Sequence, residues 1–150
     1  MTTPLKSGFR MPAEWEEHEC CWMQWPTESF PANATPSWSH FDLEKARIAW
    51  ANVANAINKF EQLKMIVHPN DYQSALKLLD QNVEVLKTPI DDAWCRDTGA
   101  IFLLNDKNQL AGVTLISIVG AIKKILNKMI KSQNLCTITL MQLILKIIWF

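Results

Sequence analysis

All fifteen acidic residues of the chain lie between Glu14 and Asp106, and none follows. From Thr114 onward the sequence is dominated by Ile, Leu, Lys, Thr, Met and Asn and holds no carboxylate. A step of this kind marks a boundary. Two segments are therefore read, 1–113 and a tail, 114–150, and the folding pattern is sought in the first. The chain as a whole is 49% hydrophobic and 20% charged with a formal net charge of zero, which is globular. It offers no electrostatic footprint for nucleic acid or an anionic membrane, so neither is expected as a partner. Cys20, Cys21, Cys95 and Cys136 have no disulfide-framework spacing, and the first fifteen residues lack an apolar signal core. A reduced, cytoplasmic compartment is expected.

Along 1–113 the apolar pattern alternates between two periods. Residues 1–19, with Pro4 and Pro12, read as an irregular lead-in. The apolar run 20–25, closed by Pro26, suits a buried strand, and 27–38 is rich in Pro, Ser and Asn, hence a loop. Asp42 is placed to cap a helix on which Leu43, Ala46, Trp50, Val53, Ile57 and Phe60 recur at three- and four-residue steps. Residues 63–67 read as a strand broken by His68-Pro69-Asn70. Asn70 with Gln73 resembles a capping box for a helix over 71–81 that turns Ala75, Leu76 and Leu79 to one face. Strands are expected at 83–86, 100–104 and 110–113, the last two joined by the turn Asn105-Asp106-Lys107-Asn108. The order strand, helix, strand, helix, then three strands is an α/β pattern.

The densest polar cluster is Asp91-Asp92-Ala93-Trp94-Cys95-Arg96-Asp97-Thr98-Gly99, in a loop between apolar strands. Three carboxylates and a Trp suit a guanidinium: carboxylates grip the planar cation, and an indole face attracts it or packs on its alkyl stem. The same residues also read as an Asx-turn with an Arg96 salt bridge and Trp94 in the core. Residue types alone leave both readings open. His18 with Cys20-Cys21 matches no zinc spacing, so no metal is expected and buried thiols are the better reading. His40 and His68 have no partner that sequence identifies.

Two stretches carry a family resemblance. MPAEWEEHECCWMQWP (Met11 to Pro26) and DDAWCRDTGAIFLLN (Asp91 to Asn105) resemble the opening and W-x-R-D-x-G motifs of agmatine deiminases and their Porphyromonas-type peptidylarginine-deiminase relatives, in matching order and separation. The resemblance covers about 1–113, roughly the first third of a family member. It implies the α/β propeller of the guanidine-modifying (pentein) superfamily, of which this segment supplies about one blade and part of another. It implies Asp97 as the catalytic-site carboxylate that binds the guanidinium, with Trp94 lining the pocket and Asp92 beside them. Arg96 and Asp92 serve equally as organisers of the loop, and core packing is the expected role of Trp15, Trp22 and Trp25.

The implied reaction hydrolyses agmatine to N-carbamoylputrescine and ammonia, in polyamine synthesis from arginine, without a metal or other cofactor. Peptidyl-arginine is the competing substrate. A Cys thiolate attacks the guanidinium carbon, a His serves as general acid and base, and carboxylates hold the cation. In the family both the His and the Cys belong to motifs later than this segment, and neither motif occurs in the 150 residues. Cys95, next to the guanidinium-binding position, is the alternative nucleophile, although it occupies the variable position of W-x-R-D.

The tail is consistent with a shifted reading frame. After Val113 the family continues with a segment resembling D-W-x-F-N-A-W-G, whereas this chain reads TLISIVGAIKK. If one base is lost near Val113, each restored codon joins the last base of one present codon to the first two of the next. Thr114 to Lys124 then permits DFNFNSWGNKK, and Leu126 to Gln133 permits EQDDKVA. Met129 followed by Ile130 forces Asp, and no stop codon is forced. A membrane span is the rival reading, but residues 135–150 are short for one and are interrupted by Lys146. The expectation is a truncated, inactive deiminase product, with a non-catalytic pseudogene remnant as the alternative.

Overall fold

The computed structural model describes residues 4–17, 19–28, 40–90 and 92–113. In chain order they form β1 (Phe9–Arg10), β2 (Cys21–Gln24), α1 (His40–Ile57), β3 (Leu63–Val67), α2 (Tyr72–Leu76), β4 (Glu84–Lys87), α3 (Cys95–Thr98), β5 (Ile101–Asn105) and β6 (Leu110–Val113). Short 3-10 turns occupy Leu5–Ser7 and Pro69–Asp71. The α/β class expected from the alternation is observed. The chain divides into two compact units, one of Glu17–Cys95 and one of Met1–Glu16 with the chain from Arg96 onward.

The Glu17–Cys95 unit is built on a parallel sheet of order β2-β3-β4. Cys21 pairs with Leu63 and Gln24 with Ile66, while Lys64 pairs with Glu84 and Val67 with Lys87. Parallel strands need crossovers, and here α1 links β2 to β3 while the segment through α2 links β3 to β4. All five residues of β3 are buried, as befits the central strand of a parallel sheet. One core joins Trp25, Leu63, Met65, Val67 and Val83 to Ala51 and Ala54 of α1 and to Ala75 and Leu79.

Several boundaries differ from the sequence reading, each for a local reason. Helix α1 begins at His40, so Asp42 lies within the first turn, where its carboxylate meets the positive helix end. Its inward stripe runs through Leu43, Ala46, Ala51 and Ala54; Val53 is 52% exposed, and Phe60, in the turn after the helix, is 90% exposed. The apolar steps had pointed to both, but three-residue steps lag behind a 3.6-residue turn and drift off the buried face. His68, not Asn70, caps the next turn: its Nδ1 accepts the Asn70 N–H at 3.2 Å, and Pro69 fills the first position, where no N–H is needed. The helix expected over 71–81 is regular only through Leu76. Leu78 and Leu79 both donate to the Ala75 carbonyl, which tightens the end, buries Leu79 and leaves Leu76 45% exposed.

The other unit is an antiparallel sheet of order β1-β5-β6. Ile101 pairs with Val113 and Leu104 with Leu110, the hairpin expected from the turn chemistry. Asn105 Oδ1 accepts the N–H groups of Lys107 at 3.0 Å and Gln109 at 2.9 Å, and Asn108 takes the left-handed conformation (φ 55°) that Asn tolerates. Strand β1 corrects the irregular lead-in: Phe9 pairs with Asn105 and Arg10 with Leu104. Two residues are too few for an alternating pattern to be visible. Arg10 donates to both Glu16 carboxylate oxygens at 2.7 and 2.9 Å, and Glu16 also accepts the Ala13 N–H at 2.7 Å. The Arg10 hydrogen bond, then the Ala13 N–H, hold the Glu16 carboxyl down at about 2.

Of the three Trp assigned to core packing, Trp25 is fully buried, Trp22 is half-buried with Lys64 Nζ 5.4 Å from its ring centroid, and Trp15 is 89% exposed. Trp15 therefore contradicts that assignment, because it lies in the turn after β1 and not on a strand.

Candidate active site

In a parallel sheet, the loops that leave the carboxyl ends of the strands are where ligands are bound. The polar cluster follows β4 and so emerges at that edge. The Thr88 N–H continues the ladder to the Val67 carbonyl at 3.0 Å. Thr88, Ile90 and Ala93 are buried, and these anchors leave Trp94 presented at 51% exposure. Trp94 is thus not a core residue, which removes that part of the structural reading. Its ring meets Trp50 of α1 edge to face, with centroids 6.1 Å apart and planes at 75°. Edge-to-face packing fixes the two rings relative to each other and leaves at least one face of Trp94 uncovered by Trp50.

Beside the Trp pair lies a mainly apolar pocket of about 270 Å³, lined by Met23, Gln24, Trp50, Val53, Ala93 and Cys95. Such a volume suits a short alkyl chain or a small planar group. Asp92 is half-buried and accepts the Ala93 N–H at 2.7 Å, the behaviour of a loop organiser. Asp97 belongs by backbone to α3, but its side chain and the whole of Asp91 lie outside the described residues. The structure therefore brings Trp94, Asp92 and Cys95 into one unit, and Arg96, which is exposed, begins the other.

Burial pushes the Cys95 thiol up to about 11. Burial, then the hydrogen bond to Glu61 Oε1 at 3.2 Å, does the same to Cys21. At pH 7 a thiol of that pKa is thiolate in only about one molecule in ten thousand, the reverse of an activated nucleophile. Among the described residues no cluster of three His, Cys, Asp or Glu could hold a metal ion. His18 and the His40 side chain are outside that set. No helix of the described residues is long and apolar enough to cross a membrane.

Sequence reasoning missed two groups. Trp50, Met23 and Gln24 were read only as core or strand positions, and nothing in the sequence ties them to the loop, which follows Trp50 by about forty residues and Gln24 by nearly seventy. The polar cluster of Thr27, Arg47 and Asp71 gave no signal either, since its members are isolated charges or hydroxyls in three separate segments.

Comparison with known proteins shows a match to the Porphyromonas-type peptidyl-arginine deiminase family over residues 10–119. A Legionella pneumophila (strain Paris) protein named "Putative agmatine deiminase" is 47% identical over 116 residues, covering 77% of this chain and 32% of that protein. The agmatine deiminase of Pseudomonas aeruginosa (strain LESB58) is 42% identical over 113 residues, covering 75% and 29%. The solved agmatine deiminase of Enterococcus faecalis superposes with a TM-score of 0.69 at 28% identity, over 90% of this chain and 38% of that one. The chain thus spans about a third of the length of the curated relatives it matches.

Proposed function

Because this chain belongs to the Porphyromonas-type peptidyl-arginine deiminase family, we propose that it carries the guanidinium-recognition part of an agmatine deiminase. The observation that carries the reading is the half-exposed Trp94, in edge-to-face contact with Trp50 and borne by the loop that contains Asp92 and Asp97. Asp97 binds the guanidinium through paired N–H···O contacts, the Trp94 face packs on the cation or its alkyl stem, and Asp92 shapes the turn between them. Agmatine is preferred over peptidyl-arginine because the similar proteins at 47% and 42% identity are named for agmatine.

The reaction of the whole enzyme consumes one water and converts agmatine to N-carbamoylputrescine and ammonia. A thiolate adds to the guanidinium carbon, ammonia leaves after proton transfer, and water then releases the product and restores the thiol. Cys21 and Cys95, pushed up to about 11, are unsuited to that role. The nucleophile and its His partner are therefore assigned to family motifs not found in this sequence. On this reading the parallel sheet with α1 and α2 is one blade of an α/β propeller, and the antiparallel sheet is part of another. Residues 114–150 are an out-of-frame tail, supported by the absence of carboxylates and by the back-translation to DFNFNSWGNKK. The chain belongs to the cytoplasm and is itself inactive.

The test pairs two proteins. The 150-residue chain is expected to release no ammonia from agmatine, while a gene restored by one base after codon 113 yields agmatine-dependent N-carbamoylputrescine. Turnover by the short chain would overturn the inactivity. A restored gene that turns over peptidyl-arginine and not agmatine would overturn the substrate.

A further inference from the structure

Helix α1 rests on the sheet through a nearly smooth face. Among the described side chains of α1, the buried ones besides Leu43 are Ala46, Ala51 and Ala54, and Trp50 and Ile57 pack against the core while only partly buried. Methyl groups raise low ridges, so the stretch from Ala46 to Ala54 resists sliding along the strands less than a face of larger buried side chains would. A buried polar clamp supplies what the alanines lack. Arg47 Nη2 donates to Asp71 Oδ1 at 2.5 Å, and Arg47 Nε donates to the Pro26 carbonyl at 3.1 Å. Thr27 Oγ1 donates to the other Asp71 oxygen at 2.5 Å. The side chains of Asp71 and Arg47 are only 4% and 14% exposed. Three segments therefore meet at one carboxylate: the chain leaving β2, the body of α1, and the turn after β3.

Buried ion pairs are weak sources of net stability, since apolar residues of similar size often do as well, and their best-attested use is to specify one arrangement. Here the arrangement specified lies one helical turn away. Arg47 and Trp50 are three residues apart on α1 and so share a side of the helix. Trp50 touches Trp94 edge to face, and Gln24, which lines the same pocket, precedes the clamped Pro26-Thr27 by two residues. We infer that the Thr27–Asp71–Arg47 cluster is a positioning device: it sets the height of α1 on the sheet and, through Trp50, the placement of Trp94. Asp71 and Arg47 are positioning residues, since neither lines the pocket beside Trp50. The inference rests on the reading of the Trp94 loop as a guanidinium site.

The deciding experiment replaces the ion pair by an apolar pair, Arg47→Met with Asp71→Leu, in the 150-residue chain. Three quantities are compared with the wild type: the denaturation midpoint, amide hydrogen exchange at Ala93, Trp94 and Cys95, and agmatine affinity by calorimetry. A positioning role predicts an equal or higher midpoint, exchange in the loop faster by about tenfold, and agmatine binding weaker by about tenfold. A lower midpoint with unchanged exchange and affinity would overturn it and leave a purely structural pair. Faster exchange in a chain whose wild type binds no agmatine would uphold the positioning and remove the guanidinium reading instead. Should the double variant fail to fold, Thr27→Val keeps the ion pair and removes one hydrogen bond. It is expected to move exchange and affinity in the same direction by about threefold, and no movement in either would refute the inference.

Discussion

Replacing Trp94 by Ala separates ligand recognition from folding, because the ring is half in and half out of the protein. A Trp side chain buries about 150–250 Å² when fully covered. At 51% exposure roughly half of that is lost to the solvent side. At about 25 cal/mol per Å², the remaining burial is worth about 2–3 kcal/mol, an upper bound that already assumes an extended unfolded chain. The edge-to-face contact with Trp50 adds about 1 kcal/mol. Trp94→Ala should therefore destabilise the chain by about 2–4 kcal/mol, and Trp94→Phe, which keeps a ring against Trp50, by about 1 kcal/mol. For agmatine, loss of the indole face removes about 1–2 kcal/mol of cation–π attraction, a weakening of about 5- to 30-fold, with Phe in between. Urea denaturation followed by fluorescence gives the first quantity, and calorimetric titration of agmatine into each variant, under conditions where it is folded, gives the second. Unchanged agmatine affinity in Trp94→Ala would refute the assignment of this ring to the guanidinium pocket. A loss of stability beyond about 5 kcal/mol would refute its placement at the surface.

Other consequences follow from the same structure. Met65, fully buried at the centre of β3, should lose about 2–5 kcal/mol as Ala, seen as a lower urea midpoint. Cys95 and Cys21 should react slowly with iodoacetamide at pH 7 and faster as pH rises through about 9 to 11, with denaturation abolishing the protection. Because their folded pKa is raised, the stability they contribute is complete below the ordinary thiol pKa of 9.0 and falls as pH climbs towards about 11, measurable as a declining midpoint. The Arg10–Glu16 pair has the opposite sign. Its carboxyl is depressed to about 2, so its contribution is present above the ordinary value of 4.5 and fades as pH falls towards 2. Glu16→Gln should abolish that acid dependence, and high salt should weaken it.

Periodicity and turn chemistry were enough to place β2, β3, α1 and the β5–β6 hairpin, because each repeats a short-range pattern that the chain alone enforces. Residue types in the loop from Asp91 to Gly99 left a guanidinium site and a plain turn both open, and it was the family resemblance of the W-x-R-D-x-G stretch that favoured the first. The ends of the elements were less legible. Asp42 and Asn70 are good caps by type, yet Asp42 lies inside α1, and His68 takes the Asn70 N–H because Pro69 sets the turn one step earlier. Which Trp is buried was not a local property at all. Trp25 directly follows β2, still bonded through its N–H to the Ile66 carbonyl of β3, and is fully buried, whereas Trp15 lies in a turn, although both belong to one motif.

The sequence by itself determined the α/β class, the family resemblance, the loss of carboxylates after Asp106 and the polar loop from Asp91 to Gly99. These depend on residue type and spacing, which are written along the chain. Only the tertiary structure decided that Trp94 is presented and not packed, that Trp50 holds it, and that Asp71 gathers Thr27 and Arg47 from segments 44 and 24 residues away. Contacts of that separation leave no periodic trace. They arise where parallel pairing of β2, β3 and β4 brings the carboxyl ends of the strands to one edge, so that residues remote in sequence come to share a single buried carboxylate.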